Sequence, residues 1–462
     1  MEIKPSIGKY IVYASDYCLL DSHVMDGGGT NETAKIQAIL DKAKEWGMLH
    51  LIMDGAALIS GIRVHSNTTI ECLNSTCGFF MEAGSDNAVI RNAEFSKTEY
   101  TAVNVTLKGG TYNHNGANQA MCFPEEDQLP KGDGCSEMLV PFKFFGVQNF
   151  KIIDVSIVDQ RRYALLMGNW EDVYMENVRI PLPHLLKETN QDGLHFHGPG
   201  KNLVLKNISG HGGDDFIAIN TDEGDNVSSI SDVEIDGVFL DGACQAVRLL
   251  CRDQGILENV SIRNVHGTVD SFGFYINPWW HEMIPGVTRP SGKFRNISIE
   301  NIDVTMTNPL YDYNPQALFY LGGDIENIRF RNIAVHADQP DFRLLAIREG
   351  DGTLWEERAG HFPTHIQDVF MDNVYIAAVN EDIKFEKPFA VECLADDAVH
   401  VDRITLNNIT AKNGNPEKAL LTIEDTTRVK EVNMNGIRPE GFGQTVKGNC
   451  ESLNAFDVKI SK

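Results

Sequence analysis

The feature that most constrains the fold is a short pattern that recurs along most of the sequence. A polar residue, often Asn, is followed by alternating apolar and polar residues, then by Asn or Gly and another apolar residue. The copies read NAVIRNAEF, EDVYMENVRI, KNLVLKNISG, SDVEIDGVFL, ENVSIRNVHG, RNISIENIDV, ENIRFRNIAV, QDVFMDNVYI, DRITLNNITA and KEVNMNGIRP. Such alternation is typical of a strand with one buried face, so each copy predicts a strand.

The spacing of the copies identifies the architecture. Their first apolar residues are Val173, Leu203, Val233, Val260, Ile297, Ile328, Val369, Ile404 and Val432. Intervals of about 27 to 41 residues without helical periodicity predict an all-β parallel β-helix, in which each repeat is one coil. A length of 462 residues would suggest about three domains. In a solenoid, length counts coils instead, so we expect a single domain over residues 1–462.

The Asn of each repeat has a predicted structural role. Asn tolerates the left-handed backbone conformation of a tight bend, and its amide can hydrogen-bond the same amide one coil away. The residues concerned are Asn92, Asn177, Asn207, Asn264, Asn301, Asn332, Asn373 and Asn408.

Two segments depart from the repeat. Residues 26–48, DGGGTNETAKIQAILDKAKEWGM, combine a Gly-rich turn with apolar residues at helical spacing, and Thr30 and Asn31 are candidate N-caps. We expect a helical cap here that covers the open first coil. Residues 113–146 break the rhythm and predict a long loop of the kind that often walls a binding site.

Charge and composition limit the partners. With 40 Lys and Arg against 65 Asp and Glu, the net charge is −25, which disfavours nucleic acid and anionic membrane surfaces as partners. No apolar run reaches the roughly 18 residues of a membrane span. The opening MEIKPSIGKYIVYASDYCLL lacks the pattern of a signal peptide. We therefore expect a cytoplasmic protein as the sequence is written, or an extracellular one if a signal was removed.

The nine cysteines are odd in number and form no C-x-x-C pair. This favours reduced thiols over a disulfide framework or a zinc site.

Acids and histidines concentrate in two neighbouring coils, TNQDGLHFHGPG and GHGGDDFIAINTDEGD. Asp192 and Asp215 occupy equivalent places in these coils, so stacking would bring their side chains to roughly 5 Å, with Asp214 beside them. Like charges this close raise at least one pKa, which gives the acid and base that glycoside hydrolysis needs. A calcium site or a solvated acidic turn is the alternative reading of the same residues.

His195 and His197 lie two apart on one predicted strand and therefore face the same way. They are candidates to line a sugar site, and structural histidines are the equal alternative. A His pair near Asp also permits a metal, but we predict neither a metal nor a cofactor.

The acidic coils resemble glycoside hydrolase family 28, which contains the polygalacturonases. The resemblance lies in NQDG at residues 190–193 and GDDFIAI at residues 213–219, and DGGGTNETAKIQAILDKA is similar to the family's helical cap. It implies a right-handed, single-stranded parallel β-helix of the pectin-lyase-like type, and hydrolysis with inversion. By the same resemblance, Asp214 would be the general acid, and Asp192 and Asp215 would hold the attacking water.

The sequence departs from the family on the next two coils, where the family has G-H-G and R-I-K. Gln245 stands at the His position, and Tyr275 and Asn277 stand where Arg and Lys would grip a uronic carboxylate. A bound carboxylate needs such a partner, and Arg248 is the one nearby candidate. We therefore expect a neutral or non-standard sugar rather than plain polygalacturonate as the carbohydrate substrate.

The segment YINPWWH adds an aromatic cluster with two candidate sugar-binding residues, Trp279 and Trp280, of which we expect one to be a stacking platform for a sugar ring and the other to serve in packing. Two alternatives remain for the whole chain. One is a polysaccharide lyase or epimerase of the same fold, which the shortage of basic residues in these coils disfavours. The other is a non-catalytic carbohydrate-binding β-helix such as a phage spike. The oligomeric state is not predicted.

Overall fold

Parallel strands dominate the computed structural model, as the repeat predicts. Two compact units are distinguished, one of Met1–Ala218 with Glu223–Asp225 and the other of Ile219–Asp222 with Asn226–Lys462. The single domain over residues 1–462 stays a prediction. The structure describes residues 2–120, 139–186, 190–221, 228–278, 290–307, 316–349, 362–393 and 398–461.

The first unit is built of β-helix coils whose strands pair in parallel with strands of the next coil. Its described residues include the α-helices α1 (Thr33–Leu40) and α2 (Lys42–Trp46), and 3-10 turns at Ala14–Asp16 and Gly116–Asn118. Its strands are β1 (Ile11–Tyr13), β2 (Leu49–Met53), β3 (Ala56–Ile59), β4 (Ile62–Val64), β5 (Thr68–Cys72), β6 (Gly78–Met81), β7 (Ile90–Asn92), β8 (Ala102–Lys108), β9 (Thr111–Asn113), β10 (Phe142–Ile153), β11 (Ser156–Val158), β12 (Leu165–Glu176), β13 (Arg179–Ile180), β14 (Leu194–His197) and most of β15 (Gly200–Asn220).

The second unit has the same construction, with parallel pairing from coil to coil. This is the parallel β-helix class predicted from the repeat, for which right-handed crossovers are the rule. Its strands are β16 (Ile230–Leu250), β17 (Ile256–Val269), β18 (Phe272–Asn277), β19 (Lys293–Met306), β20 (Ala317–Leu321), β21 (Asp324–Ala337), β22 (Arg343–Ile347), β23 (Thr364–Ala378), β24 (Phe389–Val391), β25 (Val399–Ala411), β26 (Ala419–Ile423), β27 (Arg428–Pro439), β28 (Gln444–Lys447) and β29 (Ser452–Val458).

The predicted helical cap is confirmed. Helices α1 and α2 pack on β2 and β4 of the first coils, and Ile36, Ile39 and Leu40 are fully buried. The helical part begins later than residue 26, since α1 starts at Thr33 with Glu32 as its N-cap residue. The side chain of the predicted cap Asn31 instead accepts a hydrogen bond from the Thr33 backbone N–H (3.0 Å).

The repeat also predicts the register of the core. In the first unit Val173 pairs with Leu203, and both side chains are buried. In the second unit one continuous row pairs from coil to coil, and every member is at most 2% exposed. The row consists of Val233, Val260, Ile297, Ile328, Val369, Ile404 and Val432.

The predicted left-handed bend is confirmed at all positions but one, whereas the predicted amide-to-amide bond is not general, since the Asn408 amide donates to Asp372 Oδ1 (2.8 Å). Asn177, Asn207, Asn264, Asn301, Asn332, Asn373 and Asn408 have positive φ. Side-chain amides link successive coils, as in Asn301 to Asn264 (3.2 Å) and Asn332 to Asn301 (2.9 Å). The prediction for Asn92 is wrong. That residue is fully buried with an ordinary φ, and its amide bonds the backbone of Phe145.

The predicted loop over residues 113–146 is too long at its C-terminal end, because β10 already begins at Phe142. Its middle, residues 121–138, lies outside the described residues. Among the helices that the structure describes, none is long and apolar enough to cross a membrane. No disulfide joins the cysteines that the structure describes, and burial raises the pKa of Cys72 to about 12.

Candidate active site

Asp192 and Asp215 lie side by side on successive coils of the first unit. The Gly193 N–H donates to the Asp215 carbonyl (2.9 Å), which in a parallel pair places Gly193 opposite Phe216 and Asp192 opposite Asp215. Only glycine fits at position 193, since a Cβ there would stand 2.2 Å from the Phe216 carbonyl oxygen. The backbone contact that holds the two aspartates in register therefore depends on this residue.

A bulge brings the third aspartate to the same place. The Gly213 N–H donates to the Gln191 carbonyl (2.9 Å), which places Gln191 opposite Gly212. Between this bond and the one that follows, the later coil contains more residues than the earlier coil. Asp192 alone therefore faces a segment that carries both Asp214 and Asp215. Bulges of this kind redirect side chains and are common beside active sites.

The three aspartates differ in exposure. Asp192 is 2% exposed, whereas Asp214 and Asp215 are half-buried. Asp192 is also held by a neighbour three residues along the chain, because His195 Nδ1 lies 2.6 Å from Asp192 Oδ2. The imidazole of His195 therefore fixes one oxygen of the Asp192 carboxylate and sets the orientation of that carboxylate.

Aromatic rings enclose the imidazole of His195. The Tyr163 ring stacks on it with centroids 4.2 Å apart and planes 9° apart. The His197 ring contacts it edge-on at 4.9 Å, so the two histidines face the same way, as their spacing predicts. Both histidines are at most 2% exposed. His195 therefore contacts Asp192 and is too buried to line an open sugar groove.

Two buried glutamines support the Asp192 segment. Gln160 Nε2 donates to the Asp192 carbonyl (3.3 Å), and Gln191 Nε2 donates to the Gln160 carbonyl (2.7 Å). Gln160 and Tyr163 carry no signal in the sequence pattern. Each lies one coil before the residue it touches, and only the register of the coils brings them together.

Gln245, Arg248, Tyr275 and Asn277 lie in the second unit and are all nearly fully buried. Arg248 pairs in register with Tyr275, and its guanidinium carbon stands 4.0 Å from the centre of the tyrosine ring. Its Nη2 donates to Asn277 Oδ1 (3.1 Å). Arg248, the predicted partner of a uronic carboxylate, therefore stacks on Tyr275 and donates a hydrogen bond to Asn277.

A second buried charge cluster lies further along the second unit, around Glu392. Arg343 Nη2 and Arg348 Nη1 lie 3.3 and 3.9 Å from its oxygens, and Lys387 also contacts it. Burial by itself raises the pKa of Glu392. The attraction of Arg343, Lys387 and Arg348 outweighs burial, so the pKa lies below the usual value.

The first unit also contains two cations, Lys143 and Arg91, that were not among the residues predicted for the site. Lys143 is fully buried and pairs in register with Arg91 on one side and Leu166 on the other, and Leu166 pairs with His195. Both cations lie against the ring of Phe95, at 5.7 Å for Lys143 Nζ and 5.1 Å for Arg91 Cζ. The coils before the aspartates are thus less poor in basic residues than the sequence suggested.

Trp279 and Trp280, of which one is the predicted stacking platform, lie outside the described residues. Within the described ranges, no group of three or more His, Cys, Asp or Glu side chains has an arrangement that could hold a metal ion.

The chain is similar to several solved β-helix structures. With a TM-score of 0.58 and 11% identity it resembles a tailspike protein mutant of an E. coli bacteriophage in complex with a pentasaccharide, over 93% of this chain and 75% of that one. With a TM-score of 0.52 and 12% identity it resembles the Family 28 exopolygalacturonase of Yersinia enterocolitica, over 98% of this chain and 78% of that one. With a TM-score of 0.51 and 11% identity it resembles the A-module of a mannuronan C-5 epimerase from Azotobacter vinelandii, over 98% of this chain and 100% of that one.

At these identities the likeness shows the parallel β-helix fold and nothing finer. No protein-family model and no curated protein matches the sequence.

Proposed function

We propose that this protein is a glycoside hydrolase that cleaves a glycosidic bond of a poly- or oligosaccharide with inversion. Asp214 is the general acid that protonates the leaving oxygen, and Asp192 and Asp215 hold the water that attacks the opposite face of the sugar. No cofactor takes part in these roles.

The observation that carries the proposal is the bulge that sets Asp214 and Asp215 opposite Asp192. A hydrolase of this kind needs one carboxyl group that gives up a proton and another that accepts one. The difference in environment supports such a division of labour. Asp192 is buried and bound by His195, whereas Asp214 is half-buried and therefore accessible to a leaving group.

We propose a neutral or non-standard sugar as the substrate. Arg248 stacks on Tyr275 and bonds Asn277, and both of those residues replace the basic ones of the polygalacturonase pattern. Lys143 and Arg91 are cations of the first unit, and both lie against the ring of Phe95.

A second candidate function is carbohydrate binding without cleavage. The burial of Asp192 favours it, because a carboxylate that is 2% exposed and bound by His195 also suits a purely structural role. Similarity to a tailspike protein in complex with a pentasaccharide makes this reading concrete. The two functions differ in whether substrate is consumed.

The test is a cleavage screen over neutral plant and bacterial glycans together with polygalacturonate. We expect a neutral glycan to be cleaved, and Asp214→Asn to lower kcat by about 100- to 10,000-fold, the usual contribution of general acid catalysis. Asp303→Asn, at an exposed aspartate of the second unit, is the matched control and keeps full activity. If Asp214→Asn stays within a few-fold of wild type, the acid assignment is wrong. Products with a new double bond would indicate a lyase instead.

A further inference from the structure

A groove of about 520 Å³ lies along the last strands of the second unit, β25, β27 and β29, and includes part of their outer face. None of its lining residues carries a charge, in a chain with a net charge of −25. The lining residues are Asn407, Asn433, Met434, Asn435, Leu453, Asn454, Ala455 and Phe456.

The strand register places four amides and one aromatic ring on this face. Asn407 pairs with Asn435, which pairs with Phe456, so these three side chains form one row. Asn433 pairs with Asn454 and begins a parallel row two residues away. Because side chains alternate along a strand, both rows point outward while Met434 between them is buried.

The amides of one row are fixed and those of the other are available. Asn454 Nδ2 donates to Asn433 Oδ1 (2.9 Å), and Asn433 Nδ2 donates to Glu431 Oε1 (3.0 Å). The side chains of Asn407 and Asn435 make no protein hydrogen bond in the part of the chain that the structure describes. An amide offers both donors and an acceptor, as pairs of sugar hydroxyls require.

Phe456 supplies the apolar element of the groove. It is 76% exposed, the highest value among the large apolar side chains of the described residues. An exposed aromatic ring packs against the C–H face of a sugar while neighbouring polar groups bond its hydroxyls. A lining rich in amides and without charge suits a neutral sugar chain better than a charged one.

We propose that this groove is a second carbohydrate-binding site, which holds a neutral polysaccharide without cleaving it. Phe456 stacks on one sugar ring, and Asn407 and Asn435 bond hydroxyl groups along the row. The site uses no residue of the aspartate group, so it stands whether or not the protein is a hydrolase.

The test is affinity electrophoresis of the full chain in gels that contain galactan, arabinan, xyloglucan or mannan. The Asp214→Asn background prevents loss of the polymer by cleavage. We expect at least one neutral polymer to retard the protein, and Phe456→Ala to weaken that binding about 2- to 10-fold, as the loss of an aromatic stacking contact implies. Asn435→Ala is expected to weaken it as well.

Phe239→Ala is the matched control. This phenylalanine of the second unit is also exposed, at 48%, but it stacks on His266 and lines no part of the groove. Its replacement leaves retardation unchanged. The proposal is overturned if none of the four polymers retards the protein, or if Phe456→Ala binds as the parent does. It is equally overturned if light scattering shows that Phe456→Ala only dissociates a dimer while glycan binding persists.

Discussion

The asparagine ladder allows a prediction in which backbone conformation and hydrogen bonding are separated. Asn332 has φ +56°, donates to Asn301 Oδ1 (2.9 Å) and accepts from Asn373 Nδ2 (2.8 Å). Replacement by Gly removes both bonds but keeps easy access to the left-handed region. Replacement by Ala removes both bonds and adds the steric cost of positive φ.

The magnitudes follow from these contacts. The side chain is exposed, so each hydrogen bond is worth about 0.5 kcal/mol, the low end of the usual range. The left-handed conformation costs an L-residue about 1–2 kcal/mol. We therefore expect Asn332→Gly to lower the free energy of unfolding by about 1 kcal/mol, and Asn332→Ala by about 2–3 kcal/mol.

Asn327 is the matched control, because it also donates to an asparagine one coil away, Asn296 (3.1 Å), but does not have positive φ. At position 327 we expect the Gly variant to be less stable than the Ala variant, because Gly in a strand destabilises by about 0.5–1 kcal/mol relative to Ala. Urea unfolding followed by circular dichroism, with slopes compared between variants, measures both pairs. If Asn332→Ala is no less stable than Asn332→Gly, the conformational account of the ladder is wrong.

Three further predictions concern the site and the core. His195→Gln should lower kcat about 10- to 100-fold with a smaller change in KM, because Asp192 loses the partner that orients it; an unchanged kcat contradicts this. Glu392→Gln should cost about 3–5 kcal/mol at pH 7, since Arg343 and Arg348 lose a buried counter-charge. The stability from the lowered pKa of Glu392 is present above about pH 4.5 and is lost as pH falls through the folded pKa, so the gap to wild type should narrow on acidification in pH-dependent urea unfolding. Ile328→Ala should cost about 2–5 kcal/mol in the same assay and Ile328→Val about 0.5–1.5.

Much of the fold was readable from the sequence because the repeat records two periodicities at once. Alternation identifies the buried face, and the spacing identifies which residues stack, as the row from Val233 to Val432 demonstrates. The failure at Asn92 has a physical reason. The same letters occur there, but the residue is buried and its amide bonds the backbone of Phe145 on the next coil rather than a side-chain amide.

The candidate site was less predictable. The repeat aligned Asp192 with Asp215, and the strand register reproduces that alignment. A residue-by-residue alignment of two coils cannot show the bulge that places Asp214 opposite Asp192 as well. The contact of His195 with Asp192 was missed for a different reason. Spacing along a strand says which way two side chains face, and not which of them is close enough to bond.

The buried Lys143 shows a third limit. It is brought into the row of His195 only by the lengths of the intervening coils, which the sequence pattern does not fix.

The most direct test of the central claim is the anomeric configuration of the first product, followed by proton NMR during cleavage of the glycan that the screen identifies. Three aspartates with a held water predict that the new reducing end first appears with the configuration opposite to that of the broken bond, and then mutarotates. Retention of configuration would instead require a covalent intermediate on one aspartate. That result would contradict the assignment of Asp192 and Asp215 to a water molecule.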